Sequence, residues 1–225
     1  MPRSSEADGA EPRPPSRPRP GREQRRRQIL QAGMRCFAEH GFRGTTTREL
    51  AEAVGITEAA LYRYFDSKEA LYTAIVDEKV RQPGWTEPLE SAAARGDDRA
   101  VFEGLARAML ESVEADSSFL RILLYTGLEG HALAEPFFAS RIRRLRDFLT
   151  GYLERRIAEG AFRAVDPVLG ARALLGMVLD HMIVREIFRR DSTPPEKTAA
   201  EVAACFVSIF LDGIRTGEER KRVAV

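Results

Sequence analysis

The stretch TTRELAEAVGITEAALYRYFDSK, Thr46 to Lys68, decides the fold of this chain. Leu50 and Val54 are four residues apart and share one face of a short helix. Ala51 beside them is small, which lets a second helix cross closely. Gly55 ends the first helix, where a positive φ costs glycine little. Thr57 caps the next helix, and Ile56, Leu61 and in part Tyr64 point back into the same core. Thr46 with Glu49 three residues on has the form of a capping box, and Asp66 with Glu69 suggests another before Lys68. An amphipathic hairpin would meet the periodicity alone. The small residue, the turn glycine and the caps together specify a helix-turn-helix.

The helix before it completes a three-helix unit. Residues 22–40 read REQRRRQILQAGMRCFAEH, with Ile29, Leu30, Gly33, Met34 and Phe37 as an apolar stripe and Gly41 as the stop. The run QILQAGMRCFAEHGFRGTTTRELAEAVGITEAALYRYFDSKEALYTAI resembles the N-terminal domain of the TetR family of bacterial transcriptional regulators. The AEHGF turn, the TTT start, the AEAVGIT turn, the LYRYF recognition helix and the SKEAL opening carry the resemblance, over about residues 22–76. One departure is visible: many members have glycine where this chain has Ala59. The resemblance implies a ligand-responsive regulator of DNA, by family habit a repressor, in the bacterial cytoplasm and associated with the nucleoid through DNA.

Composition agrees without deciding. The chain has 225 residues, 44% of them apolar, enough to bury a sizeable core. Two cysteines, Cys36 and Cys205, and no export signal argue for a reducing compartment without a disulfide framework. No apolar run reaches the ~18 residues of a membrane span, and no membrane partner is expected. Net charge is only +1, but residues 1–68 hold 13 Lys/Arg against 9 Asp/Glu while the remainder is slightly acidic. A mild positive field at one end suits a small DNA-binding head.

Residues 1–21 are rich in Pro, Arg, Ser and Gly and read as a disordered arm. The arm is either a solvated extension or a basic strand whose Arg13, Arg17 and Arg19, with the Arg25–Arg27 cluster, reach phosphates or a minor groove. Residues 22–66 are the expected DNA-binding domain, 67–217 a helical ligand-binding and dimerisation domain, and 218–225 a charged tail. Helices are predicted near 67–81, 97–115, 117–129, 134–160, 166–190 and 195–216, broken at Gly and Pro clusters. No strand hairpin and no repeat is present, so the fold class is all-α, with about nine helices.

In the head, Tyr62 is next to Leu61 and turns its hydroxyl away from the core; the family uses the matching tyrosine on phosphate. Lys68, at a helix start, is placed for another phosphate. Thr46 and Thr47 offer hydroxyls and helix-terminal amides, with capping as the simpler reading. Arg48 projects from the first helix, towards DNA or towards solvent. Thr57, Glu58, Ala59 and Ala60 form the turn that meets base edges: the alanines suit a thymine methyl and Glu58 a cytosine amino group. Arg63 suits guanine or phosphate. Tyr64 is divided between the core and the DNA contact common in the family.

One short recognition helix reads few bases, so two heads on a twofold axis are expected to bind a palindromic operator. Ala173, Gly176, Met177, Val184, Phe188, Val202, Phe206, Ile209 and Phe210, on the last two long helices, are the candidate homodimer surface; the resemblance places a four-helix bundle between subunits there. The alternative is that both faces are intrachain core. For a small hydrophobic ligand, Trp85, Phe102, Met109, Phe119, Tyr125, Phe137 and Phe138 are candidate walls, with Arg121 and His131 as polar anchors, although aromatics at helical spacing more often pack a core.

Enzyme chemistry finds no support. A phosphate-binding glycine loop, a Gly-x-Ser-x-Gly elbow, a His-Glu-x-x-His and a Cys-x-x-Cys are all missing. Cys36 and His40 have metal-ligand spacing, yet fit a buried thiol and a helix-terminal imidazole better. No cofactor and no metal are expected. A helical adaptor that binds protein is the rival class, and it leaves the capped helix-turn-helix unexplained.

Overall fold

The computed structural model describes residues 21–81, 86–130, 132–188 and 197–216. Among the described residues eleven α-helical segments follow one another: α1 (Arg22–Gly44), α2 (Thr47–Glu52), α3 (Glu58–Leu61), α4 (Lys68–Arg81), α5 (Thr86–Ala94), α6 (Asp98–Ala115), α7 (Ser118–Glu129), α8 (Glu135–Phe137), α9 (Arg143–Ala158), α10 (Pro167–Glu186) and α11 (Ala199–Ile214). A π-helical turn, Phe138–Ile142, joins α8 to α9. Among the described residues the only β pairing is an isolated bridge between Phe162 and Arg215. The all-α expectation holds. The arm 1–20, Trp85, His131 and the tail 218–225 lie outside what is described here of side chains and their contacts.

Local chemistry sets most boundaries. Thr46 and Glu49 form the capping box of α2, and the Thr57 hydroxyl accepts from the Ala60 amide at 3.2 Å to start α3. Gly55 turns between them at φ 68°. Asp97, Asp166 and Thr198 cap α6, α10 and α11 in the same way. In place of the second box expected at Asp66, a single cap stands one residue later. Ser67 is the cap of α4, accepting from the Ala70 amide at 3.1 Å.

Two segments differ more. The expected single helix over 134–160 contains the π turn, where the Ser140 hydroxyl donates to the Pro136 carbonyl at 2.5 Å and competes with the regular ladder. Helix α5 has no counterpart among the helices the sequence predicts. Its apolar stripe is only Leu89, Ala92 and Ala93, too short to show a period, and it is held by α6, where Leu89 Cδ2 is 3.0 Å from a Cβ built on Gly104.

The chain buries two cores. The first gathers Ile29, Leu30 and Phe37 of α1, Leu50, Leu61, Phe65, and Leu71, Tyr72, Ile75 and Val76 of α4. Ile122 of α7 belongs to it too. This core extends past residue 66 into α4 and one face of α7. In the second core Phe102 sits edge-on to Tyr152 and Phe210, at 5.6 and 5.3 Å between ring centres. At its rim the buried Asp98 carboxylate accepts from Tyr152 Oη at 2.6 Å and from Arg156 Nε at 2.8 Å. Burial and the bond to Asp98 push the Tyr152 phenol well above its ordinary range. Removing either the basic or the phenolic partner leaves a buried charge short of donors.

By length and composition α10 is apolar enough to cross a bilayer, although Arg172 and Asp180 interrupt the run. It is a bundle helix here. Ala171, Leu174, Val178 and Met182 bury against α6, α9 and α11.

Candidate DNA-binding surface

The starts of α2 and α3 lie side by side. The Thr47 hydroxyl donates to Glu58 Oε2 at 2.6 Å, tying one helix N-terminus to the other across the turn. Leu50, Ala51 and Leu61 are buried beneath this pair, so the crossing of the two helices is fixed from below. Each start presents N-terminal amides and the positive end of a short helix, an arrangement that favours phosphate oxygens.

Around it the predicted residues are gathered on one surface. Thr46, Arg48, Thr57, Glu58, Ala59, Tyr62 and Arg63 are exposed, and Thr47 and Ala60 are half-buried. Tyr62 is 47% exposed, and its hydroxyl has no partner among the described residues. The Arg63 side chain is equally unengaged among them. Arg48 pairs along its helix with Glu52 at 2.8 Å, an exposed contact that water screens and DNA can replace. Tyr64 is half-buried and packs against the head core. Phe65, four residues after Leu61, also fills that core.

Three groups of these side chains also have partners within the chain. Lys68 does not extend freely: its Nζ donates to the carbonyls of Phe42 and Thr45, both at 2.8 Å, and rests 4.4 Å from the Phe42 ring centre. The α1–α2 turn leaves these carbonyls without helical donors, and the ammonium supplies them. Glu58 is exposed and accepts the Thr47 hydroxyl on one of its two oxygens. Two arginines near the start of α1 brace the head. Arg25 Nη1 donates to the Val54 carbonyl at 3.3 Å, and the Arg26 guanidinium is 5.2 Å from the Phe65 ring centre.

Cys36 and His40 turn to different surroundings. Cys36 is buried, and burial with the charges of Glu49 and Glu39 pushes its thiol up, while His40 turns to Glu49. Among the described residues no group of three or more metal-ligating side chains occurs.

The residues expected to line one ligand cavity are distributed instead. Phe102 is fully enclosed in the second core and Met109 packs at its edge. Phe119 and Phe137 stack edge-on at 4.8 Å on the head core, with Phe138 beyond them on the surface. Tyr125 donates its hydroxyl to the Glu39 carbonyl at 3.1 Å. Arg121 borders a polar cleft between α1, α7 and the end of α10, where it donates to the Glu186 carbonyl at 2.7 Å. Helical spacing brought these residues into view, and packing against different neighbours separates them.

The expected dimer residues also divide. Val202 and Phe210 are buried within this chain, on the α11 face that meets α6, so they are core. Ala173, Gly176, Phe188 and Ile209 are exposed, and Met177, Val184 and Phe206 are half-buried. Exposed Leu169, on the same side of α10 as Ala173 and Gly176, extends the apolar face.

The matches to known proteins fall on these same parts. The model of bacterial regulatory proteins of the tetR family matches residues 29–75, the helix-turn-helix and its flanking helices. The model of the AefR-like transcriptional repressor C-terminal domain matches residues 100–213, half of the chain. The chain belongs to the TetR family. It is a DNA-binding transcriptional regulator of this family, as the opening motif led one to expect. It is 31% identical over 210 residues to the HTH-type transcriptional repressor KstR2 of Rhodococcus jostii, covering 89% of this chain and 96% of that protein. The AcnR repressor of Corynebacterium glutamicum is 30% identical over 71% of this chain and 80% of its own length. Among solved structures, the ketosteroid transcriptional regulator KstR2 of Mycobacterium tuberculosis superposes with a TM-score of 0.62 at 26% identity, over 85% of this chain and 95% of that one. The regulator PfmR of Thermus thermophilus gives 0.63 at 28%, over 82% and 97%.

Two residues central to this TetR-family head were not legible beforehand. Thr45 is buried and donates its hydroxyl to the Gly41 carbonyl at 2.7 Å, holding the turn before α2. Glu129, at the end of α7, reaches the same turn from the other side. The TTT run hinted at the first; nothing local marks the second.

Proposed function

We propose that this TetR-family chain is a homodimeric repressor that holds a palindromic operator with two heads and releases it on binding a small apolar molecule. The observation that carries the proposal is the coupled pair of helix starts, α2 and α3, joined by Thr47 and Glu58 under an exposed Tyr62. Thr46, Thr47, Arg48 and Tyr62 contact phosphate. Thr57, Ala59, Ala60 and Arg63 meet base edges, with Glu58 setting their register. Repression follows the names of the relatives, and the bacterial cytoplasm follows the family. Support for the dimer is the exposed apolar face of α10 and α11, where Leu169 and Ile209 are each 60% exposed. An apolar effector agrees with a relative named for ketosteroids. An intersite coupling of ~1–3 kcal/mol changes operator affinity about 5–150-fold, enough to clear a site at moderate repressor concentration.

A band-shift with the DNA upstream of the protein's own gene, repeated over a range of salt, tests the proposal. Retention of a specific fragment with steep salt dependence is expected. No specific retention at any salt overturns it.

A further inference from the structure

Helix α1 breaks at Gly41, where φ is 70° and ψ 178°. The amides of Phe42 and Arg43 thereby turn away from the carbonyls one turn back and need other acceptors. One carboxylate serves both. The Phe42 amide donates to Glu129 Oε2 and the Arg43 amide to Glu129 Oε1, each at 3.1 Å. Glu129 is the last residue of α7, with Gly130 in the left-handed region behind it.

A carboxylate at that place faces the negative end of its own helix, so α7 gains nothing from it locally. Arg43 answers the imbalance. Its Nη2 donates to the Glu129 main-chain carbonyl at 3.1 Å, placing a cation where the helix end favours one. Two residues 86 positions apart thus cap each other's helix ends. The fit is close: a Cβ on Gly41 would stand 2.5 Å from Glu129 Oε1 and 2.8 Å from the Tyr125 ring. A few residues further on, Lys68 binds the carbonyls of Phe42 and Thr45, and Thr46 opens α2. The turn held by Glu129 therefore sets where α2 begins.

We infer that Glu129 is a positioning residue for DNA binding: with Arg43 in return, it fixes the turn that aims α2, and makes operator affinity depend on where α7 stands. The inference rests on the DNA-binding reading above and deepens it. Two directional bonds from successive amides to one carboxylate tolerate little sliding of α7. Both partners border solvent, so water replaces the bonds when the carboxylate is removed and the fold survives. What is lost is the aim of the turn.

The test uses the full chain unchanged, as Glu129→Gln and as Glu129→Ala, on the DNA upstream of its own gene. Gln keeps one accepting oxygen and Ala none. Affinity is expected to fall in that order, about 3-fold for Gln and about 10-fold or more for Ala, within the range of intersite couplings. Melting temperature is expected to move by less than about 4 °C, with the Leu50 and Leu61 amides still protected from exchange. Equal affinity of the three forms overturns the positioning role and leaves the regulator reading standing. A loss accompanied by deprotected Leu50 and Leu61 amides assigns the effect to stability and also overturns it. Failure of the unchanged protein to retain the fragment removes the regulator reading, and the inference with it.

Discussion

The α2–α3 surface and the α10–α11 face are both exposed, and they are built in opposite ways. The first is small and polar, with its hydroxyls and carboxylates partly engaged with one another, as Thr47 is with Glu58. The second is broad and apolar, and offers Leu169, Ala173, Gly176 and Ile209 to whatever covers it. A surface of the first kind binds through charge and registers salt; one of the second kind binds through area removed from water and is nearly indifferent to it. Raising salt is therefore expected to release DNA while leaving the dimer intact, by band-shift and by light scattering.

The largest effect that separates the two regions is expected from Ile209→Asp. A charge on the apolar face should convert the dimer to monomer by light scattering and lower operator affinity more than a hundredfold, about 3 kcal/mol or more, with the fold retained. A dimer that persists at equal concentration would dissociate this face from assembly. Phe102→Ala acts on the second core alone. A cost of about 3–5 kcal/mol in denaturant unfolding is expected from the cavity left among Tyr152, Phe162 and Phe210. Thr46→Ala removes the box that starts α2 and should cost ~1 kcal/mol, with a larger relative loss in DNA affinity than in stability. Tyr62→Phe should leave the melting temperature unchanged and reduce the salt slope by about one unit.

The smallest expected effect is in pH. Burial, with the charge of Arg185, holds the His181 imidazole below its ordinary value of 6.5, against the opposing charges of Glu114, Asp180 and Glu186. Its Nε2 is buried without a hydrogen-bond partner among the described residues, beside the Phe206 ring. The unfolded chain then binds this proton more readily than the folded one. Stability is whole above pH 6.5, falls as pH drops from there to the lower folded value, and then levels. His181→Gln should flatten that part of a melting-temperature profile.

How much of the head was readable follows from range. Thr46 with Glu49, Thr57 with Ala60, and Gly55 act within four residues, and each stands where the sequence placed it. The partners of Lys68 were not readable in this way, because a lysine at a helix start suits phosphate by local rules and the carbonyls that hold it are 23 and 26 residues away. Periodicity put Phe210 and Ile209 on one apolar helix, and could not say which of two neighbours faces α6. The same limit scattered the expected ligand walls between two cores.

Helix period, capping and turn conformation are set by groups a few bonds apart, and for that reason an all-α chain with a capped helix-turn-helix is already written in the order of its residues. It took the packed chain to complete the head with α4 and α7, to turn Lys68 and Arg25 into braces, and to bring Glu129 to Arg43. Those contacts join groups tens of residues apart, and no local rule brings such groups to within about 3 Å of one another, the reach of a hydrogen bond.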